Sequence, residues 1–154
     1  MFAYGQTAAN AIAVMSYLAA DPSHRAGSAE VAAARGLSRP LAAKLLTQLA
    51  TVRLVEGQPG PGGGYTLAKN PAEISLLDIA SVFEQTDPPS VCPFGHGWCG
   101  TGAPCPLHDA ITALMTANRR FMEETRLSVF FRRDRRPAEP DQVSRINQTS
   151  QHLL

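Results

Sequence analysis

Residues 59–64 read Pro-Gly-Pro-Gly-Gly-Gly, a run that neither a helix nor a strand can carry through. Proline removes a backbone donor, and glycine lacks the side chain that would hold a regular backbone in place. The chain must therefore reverse here. Short β-forming runs flank the reversal, Leu54-Val55 before it and Tyr65-Thr66-Leu67 after it, so the segment reads as a β-hairpin. Three helical segments precede it. Residues 8–20 are Ala-rich, with Ile12, Met15, Ser16 and Ala19 at helical spacing, and Asp21-Pro22-Ser23 ends the segment. A second helix is expected over about 29–35, with Gly36 as the turn. A third begins near Ser38, a good N-cap, with Pro40 tolerated in its first turn. Its apolar face is Leu41, Leu45, Leu46 and Leu49, and its opposite face is Arg39, Lys44, Gln48 and Thr51.

Two helices joined by a glycine turn, then a hairpin, is the layout of a winged helix–turn–helix. The expected fold class is mainly α with a small β-hairpin wing, followed by a long C-terminal helix. In such a unit the last helix enters the major groove of double-stranded DNA, where base edges carry a unique donor and acceptor code. A side-chain-free wing can approach phosphates. The alternative is an ordinary helical hairpin with solvated charges and a loose turn. A nucleotide P-loop is excluded, because no Gly-Lys-Ser/Thr follows the glycines. Lys plus Arg number 14 against 13 Asp plus Glu, so a polybasic binder is excluded and any nucleic-acid site must be a local patch.

The second half begins at a helix start. Ser75 can cap, Asp78 sits three residues on, and Ile74 and Ile79 occupy the hydrophobic staple positions of a helix reaching about Phe83. A loop over 84–105, rich in Gly and Pro, follows. Loops of such length are uncommon unless functional or disordered. A last helix is expected from Pro106 to about Phe131, roughly 36–39 Å long at 1.5 Å per residue. Ile111, Leu114, Met115, Asn118, Phe121, Met122, Thr125 and Val129 form one stripe along it. That stripe is longer than so small a body covers, so part of it should meet a partner chain. The division is thus 1–83 for the DNA-binding unit, 84–105 for a cysteine-rich loop, 106–131 for a dimerisation helix, and 132–154 for a polar, disordered tail.

All three cysteines fall in that loop, as Cys92-x6-Cys99-x5-Cys105, with His108 three residues later. An odd, clustered set does not suit a disulfide scaffold. No apolar stretch spans a bilayer and no leader pattern opens the chain, so a cytoplasmic protein with no membrane association is expected. In a reducing compartment, clustered thiols read as metal ligands. Zinc sites favour tight pairs, whereas these wide gaps suit an iron–sulfur cluster held by thiolates. A structural zinc and three reduced thiols are the alternatives. His108 is the candidate fourth ligand, His96 its competitor, and Trp98 would pack over the site. No acid–base or nucleophile constellation lies outside this loop, so an enzyme is not expected.

These residues resemble the Rrf-two family of winged-helix transcription regulators, which includes IscR-like and NsrR-like iron–sulfur sensors. Two motifs carry the resemblance. One is Gly60-Pro61-Gly62-Gly63-Gly64-Tyr65-x-Leu67 followed by Ile74-Ser75-Leu76-Leu77-Asp78-Ile79; the other is the three cysteines with their trailing histidine. It spans about residues 9–130. The resemblance implies a homodimer paired through its long helices, with interface residues Ile111, Leu114, Met115, Asn118, Phe121 and Met122. It implies a cluster on Cys92, Cys99, Cys105 and His108 whose state alters promoter binding. It also implies DNA contact by Ser38, Arg39, Lys44, Gln48, Gly62, Gly63, Gly64 and Tyr65, and a pseudo-palindromic operator.

Two departures bear on the cluster. IscR-like members have five residues in both cysteine gaps, whereas the first gap here has six. NsrR-like members can use a carboxylate near the start of the first helix, and this chain has no Asp or Glu before Asp21. Ser38-Arg39-x4-Lys44 is nonetheless NsrR-like, with Pro40-Leu41-Ala42-Ala43 where IscR-like members carry Ser-Tyr-Leu-Glu. The expectation is a three-Cys, one-His site favouring [2Fe–2S] over [4Fe–4S]. The competing functions are a zinc-stabilised repressor and an iron–sulfur carrier. A carrier leaves Arg39, Lys44 and the wing without a task.

Overall fold

The computed structural model describes residues 5–84 and 104–131. The tail from 132 and most of the cysteine loop, with Cys92, His96, Trp98 and Cys99, lie outside the described residues. Helix α1 (Gln6–Ala20) is the centre of the core. Ala8, Ala11, Val14, Met15, Leu18 and Ala19 are buried on it. Its small alanines let other elements approach closely, and it packs against α2 (Ser28–Arg35), α3 (Arg39–Thr51), α4 (Leu76–Ala80) and the second wing strand. Leu45, Leu46 and Leu49 of α3 are buried, as are Val31, Leu54, Val55, Ile74 and Ile79.

The helix–turn–helix forms as its sequence predicts. Gly36 ends α2 in the left-handed region at φ 64°, and Leu37 N–H closes back on Ala32 O at 2.9 Å. Ser38 caps α3, its hydroxyl accepting from Leu41 N–H at 3.4 Å. On the apolar face Leu41 is only half-buried, and Ala42 is buried in its place beside Leu45.

The wing is an antiparallel pair, β1 (Val55–Gln58) and β2 (Gly64–Leu67), with Val55 opposite Leu67 and Gln58 opposite Gly64. Residue 63 must be glycine, because a Cβ there would collide with the carbonyls of Gln58 and Gly60. A third extended piece was not foreseen. Ala26, in the α1–α2 loop, donates to Tyr65 O at 3.0 Å and accepts from Tyr65 N–H at 2.8 Å.

The staple and capping box at α4 are both present. Asp78 N–H donates to Ser75 Oγ at 3.0 Å, and Ser75 N–H donates to Asp78 Oδ2 at 2.8 Å. Ile74 and Ile79 are buried beside them. The regular helix ends at Ala80, and turns carry the chain on to Glu84.

The last helix departs from expectation. Helix α5 covers His108–Glu124, 17 residues or about 25 Å. It does not reach Phe131. Thr125 turns extended, Thr125 O accepts from Leu76 N–H at 3.0 Å, and Leu127 N–H donates to Ile74 O at 2.9 Å. Leu127 is fully buried, and residues 127–130 form a 3₁₀ turn against α1. Burying Leu127 and satisfying these backbone groups outweighs two more helical turns in solvent. Thr125 and Val129 therefore leave the stripe.

Arg53 is the non-glycine residue with positive φ among those described, at 58°. It ends α3 in a Schellman motif: Leu54 N–H donates to Leu49 O and Arg53 N–H to Ala50 O, each at 3.0 Å. Glycine is usual at that position because a Cβ strains the left-handed conformation. Arg53→Gly should therefore stabilise the fold by roughly 0.5–1 kcal/mol, the strain relieved less the entropy glycine loses on folding. Urea denaturation measures this, and a midpoint at or below that of the parent would show that Arg53 is unstrained.

Candidate functional site

The outer face of α3 is the first component. Arg39, Lys44 and Gln48 are exposed there, as the helical spacing predicts, and the N-cap Ser38 is exposed beside them. The same face carries Pro40 and Thr47, which the sequence reading left out. Thr47 Oγ1 donates to Ala43 O at 2.9 Å, and Thr51 Oγ1 to Thr47 O at 3.1 Å. Both hydroxyls thus have a partner on the helix, leaving Arg39, Lys44 and Gln48 as its longer polar groups.

Helix α2, which packs against α3, is held to α1 by polar contacts. Tyr17 Oη donates to Glu30 Oε1 at 2.8 Å, and His24 Nε2 meets the same oxygen at 2.7 Å. The Tyr17 hydroxyl, and then His24, hold the Glu30 carboxyl below the usual carboxylate range. Arg35 lies over the Tyr17 ring, 5.5 Å from its centre, and donates to Ser16 Oγ at 3.0 Å.

The wing is the second component. Gly62, Gly63 and Gly64 lie at its turn and the start of β2. Gly63 N–H is committed to Gly60 O at 2.9 Å. Tyr65 is half-buried, with its ring against Gly57, so it packs as well as lines the wing.

The third component is the head of α5. Cys105 and His108 are both half-buried and lie one turn apart, with His108 N–H donating to Cys105 O at 3.0 Å. Cys105 lies before the helix, which was expected from Pro106. The helix starts at His108, and Leu107 takes the capping place. Pro106 falls in the preceding turn. Among the described residues, no three His, Cys, Asp or Glu side chains gather as a metal site. Cys92 and Cys99 fall outside those residues.

The remaining component is the outer stripe of α5. Leu107, Leu114 and Phe121 are 45%, 66% and 47% exposed, seven residues apart. Ile111 and Asn118 lie between them, half-buried. Met122 is different: it is fully buried in the chain's own core, so it cannot belong to a surface that a second chain covers. Met115, seven residues earlier, shares its line on the helix and is half-buried. Among the described residues no helix is long and apolar enough to cross a membrane.

Comparison with known proteins bears on all these components together. The family profile of Rrf2, described as an iron-dependent transcriptional regulator, matches residues 4–133. BadM, named as an HTH-type transcriptional regulator of Rhodopseudomonas palustris, is 42% identical over 69 residues, 45% of this chain. That match spans 44% of BadM, less than half of its length. The solved structure of CymR, titled the global cysteine regulator of B. subtilis, superposes with TM-score 0.71 at 21% identity, over 84% of this chain and 97% of that one. T. potens IscR superposes with TM-score 0.63 at 16% identity, over 97% and 90% of the two chains. The two structures share the fold: a mostly helical chain with a two-strand wing. The family and its named relatives regulate transcription and are not enzymes. With the profile covering most of its length, the chain belongs to the Rrf2 family of DNA-binding transcriptional regulators.

Proposed function

We propose that this regulator is a homodimer whose DNA binding is gated by an iron–sulfur cluster on Cys92, Cys99, Cys105 and His108. The observation that carries the reading is the pair Cys105 and His108 at the head of α5. A thiol and an imidazole, half-buried and one turn apart, suit an iron–sulfur centre, whose ligands are thiolates with histidine as the known substitute. The helix N-terminus beside them favours the negative charge of a thiolate-held group. Three cysteines and one histidine, with no carboxylate before Asp21, favour [2Fe–2S] over [4Fe–4S]. Bound there, the cluster would supply a centre sensitive to oxidation, nitrosylation and loss of iron.

The chain's own residues supply the coupling. The far end of α5 is hydrogen-bonded to residues 74–76, and Ile74 sits in the core that α1 and α3 share. A change in how the head of α5 is held therefore acts on a helix already fastened to the DNA-binding unit. The exposed stripe supports the dimer. Leu107, Ile111, Leu114, Asn118 and Phe121 repeat at spacings of four and three, the heptad seam of a helix that pairs with another. Asn118 stands where a polar residue fixes register. A dimer implies a pseudo-palindromic operator, with half-sites one or two helical turns apart.

Anaerobically purified protein should be coloured, with visible absorbance and matching iron and acid-labile sulfide. Cys92→Ala, Cys99→Ala or Cys105→Ala should each give a folded, colourless protein, because the described core does not draw on these side chains. Full cluster content in all three variants ends the assignment, and zinc without iron transfers the site to a structural metal.

Phe121→Asp should yield a monomer by light scattering at micromolar concentration, since an unpaired buried charge costs roughly 3–5 kcal/mol. Phe121 is exposed in the single chain, so its fold should survive. An unchanged dimer rules out this seam.

Arg39 lies in the first turn of α3, where recognition helices meet base edges, and Lys44 lies further along. Arg39→Ala should relax preference at one base position by about 1–3 kcal/mol, whereas Lys44→Ala should weaken all sequences alike and lower the salt slope by about one. Parent affinity for selected and random duplexes in both variants would mean that α3 does not enter the groove.

A further inference from the structure

The wing presents an electrostatic problem. From Val55 to Leu67 it contains no Lys or Arg, and it carries Glu56. Its backbone donors are partly committed as well, Gly63 N–H to Gly60 O and Tyr65 N–H to Ala26 O. A hairpin of net negative charge gains little from approaching a phosphate backbone.

A cation is delivered to it from elsewhere in the fold. Ala26 pairs with Tyr65 through both of its backbone groups, which holds the α1–α2 loop along the open edge of β2. Arg25 is the preceding residue. A Cβ built on Gly64 would lie 3.2 Å from Arg25 Cγ and 2.8 Å from the Ala26 carbonyl. Glycine at 64 therefore makes the seat in which the Arg25 stem rests against the wing. Arg25 is half-buried, and among the described residues its guanidinium enters no ion pair or hydrogen bond. The acids of its own neighbourhood are engaged otherwise. Asp21 accepts from the backbone and hydroxyl of Ser23, and Glu30 is held by Tyr17 and His24.

We propose that Arg25 is a DNA-phosphate contact, the cation that serves the wing from the adjoining loop. The inference rests on the DNA-binding reading and adds a residue to it. Arginine suits the task, because its fork of donors matches a phosphate and its apolar stem packs on the glycine below.

The test is fluorescence anisotropy with a random-sequence duplex and an operator selected from a randomised pool, at 50 and 200 mM salt. Three proteins are compared: the parent, Arg25→Gln and Arg25→Lys. Arg25→Gln should weaken binding to both duplexes by the same factor. Losing one phosphate contact lowers the salt slope by about 0.9, so over that fourfold rise in salt the variant should lose about 3.5-fold less affinity than the parent. Arg25→Lys keeps the charge and should keep the slope. An unchanged slope in Arg25→Gln overturns the proposal. An equal loss of slope in Arg25→Lys also overturns it, because the residue would then act through packing alone. A parent that binds neither duplex fails the DNA-binding reading itself, a result distinct from either of these.

Discussion

Two backbone hydrogen bonds, between residues 74–76 and residues 125–127, hold this molecule in its working arrangement. They stop α5 at Glu124 and seat Leu127 in the core. They also fasten the long helix to the segment that leads from the wing into α4. Met122, buried in the core, and the packing of α4 against α5 add to this attachment. The head of α5 carries Cys105 and His108 while its foot is part of the same core as α3. The Ser75–Asp78 capping box lies at this junction and fixes the path of the backbone that does the pairing.

Charge is the second constraint. A chain with nearly equal numbers of acids and bases cannot bind DNA by bulk attraction, so its cations must be placed. Arg39 and Lys44 stand on the open face of α3, and Arg25 stands beside a wing that has no base of its own. Many remaining charges are committed. Glu30 joins α1 to α2, and Arg119 and Arg120 pair with Glu123 and Glu124 along α5. Such exposed pairs contribute little to stability.

Local signals were legible wherever a residue type leaves the backbone few choices. The glycine run at 60 and 62–64 allows only a reversal, Ser38 and Ser75 mark helix starts, and the leucines of α3 point to one side at 3.6-residue spacing. The exposed set Arg39, Lys44, Gln48 and Thr51 followed from that spacing alone. Errors arose where the competing interaction came from distant residues. The stripe on α5 reads as one helix to Phe131, because nothing near Thr125 forbids continuation. Leu127 is drawn away by Ile74, some fifty positions earlier, and local periodicity carries no trace of that. Met122 was grouped with the outer stripe for the same reason, although α5 turns it inward.

Sequence by itself determined the first three helices, the reversal at the wing, the caps of α3 and α4 and the outward face of α3. Each of these depends on steric and hydrogen-bonding preferences acting within about four residues. Tertiary structure alone decided where α5 ends, which of its apolar residues are spent inside the subunit, and that Ala26 adds a third extended piece to the wing with Arg25 beside it. Those outcomes depend on backbone groups and buried area contributed by segments far apart in the chain. Their gains in burial and hydrogen bonding exist only once the fold has brought the segments together.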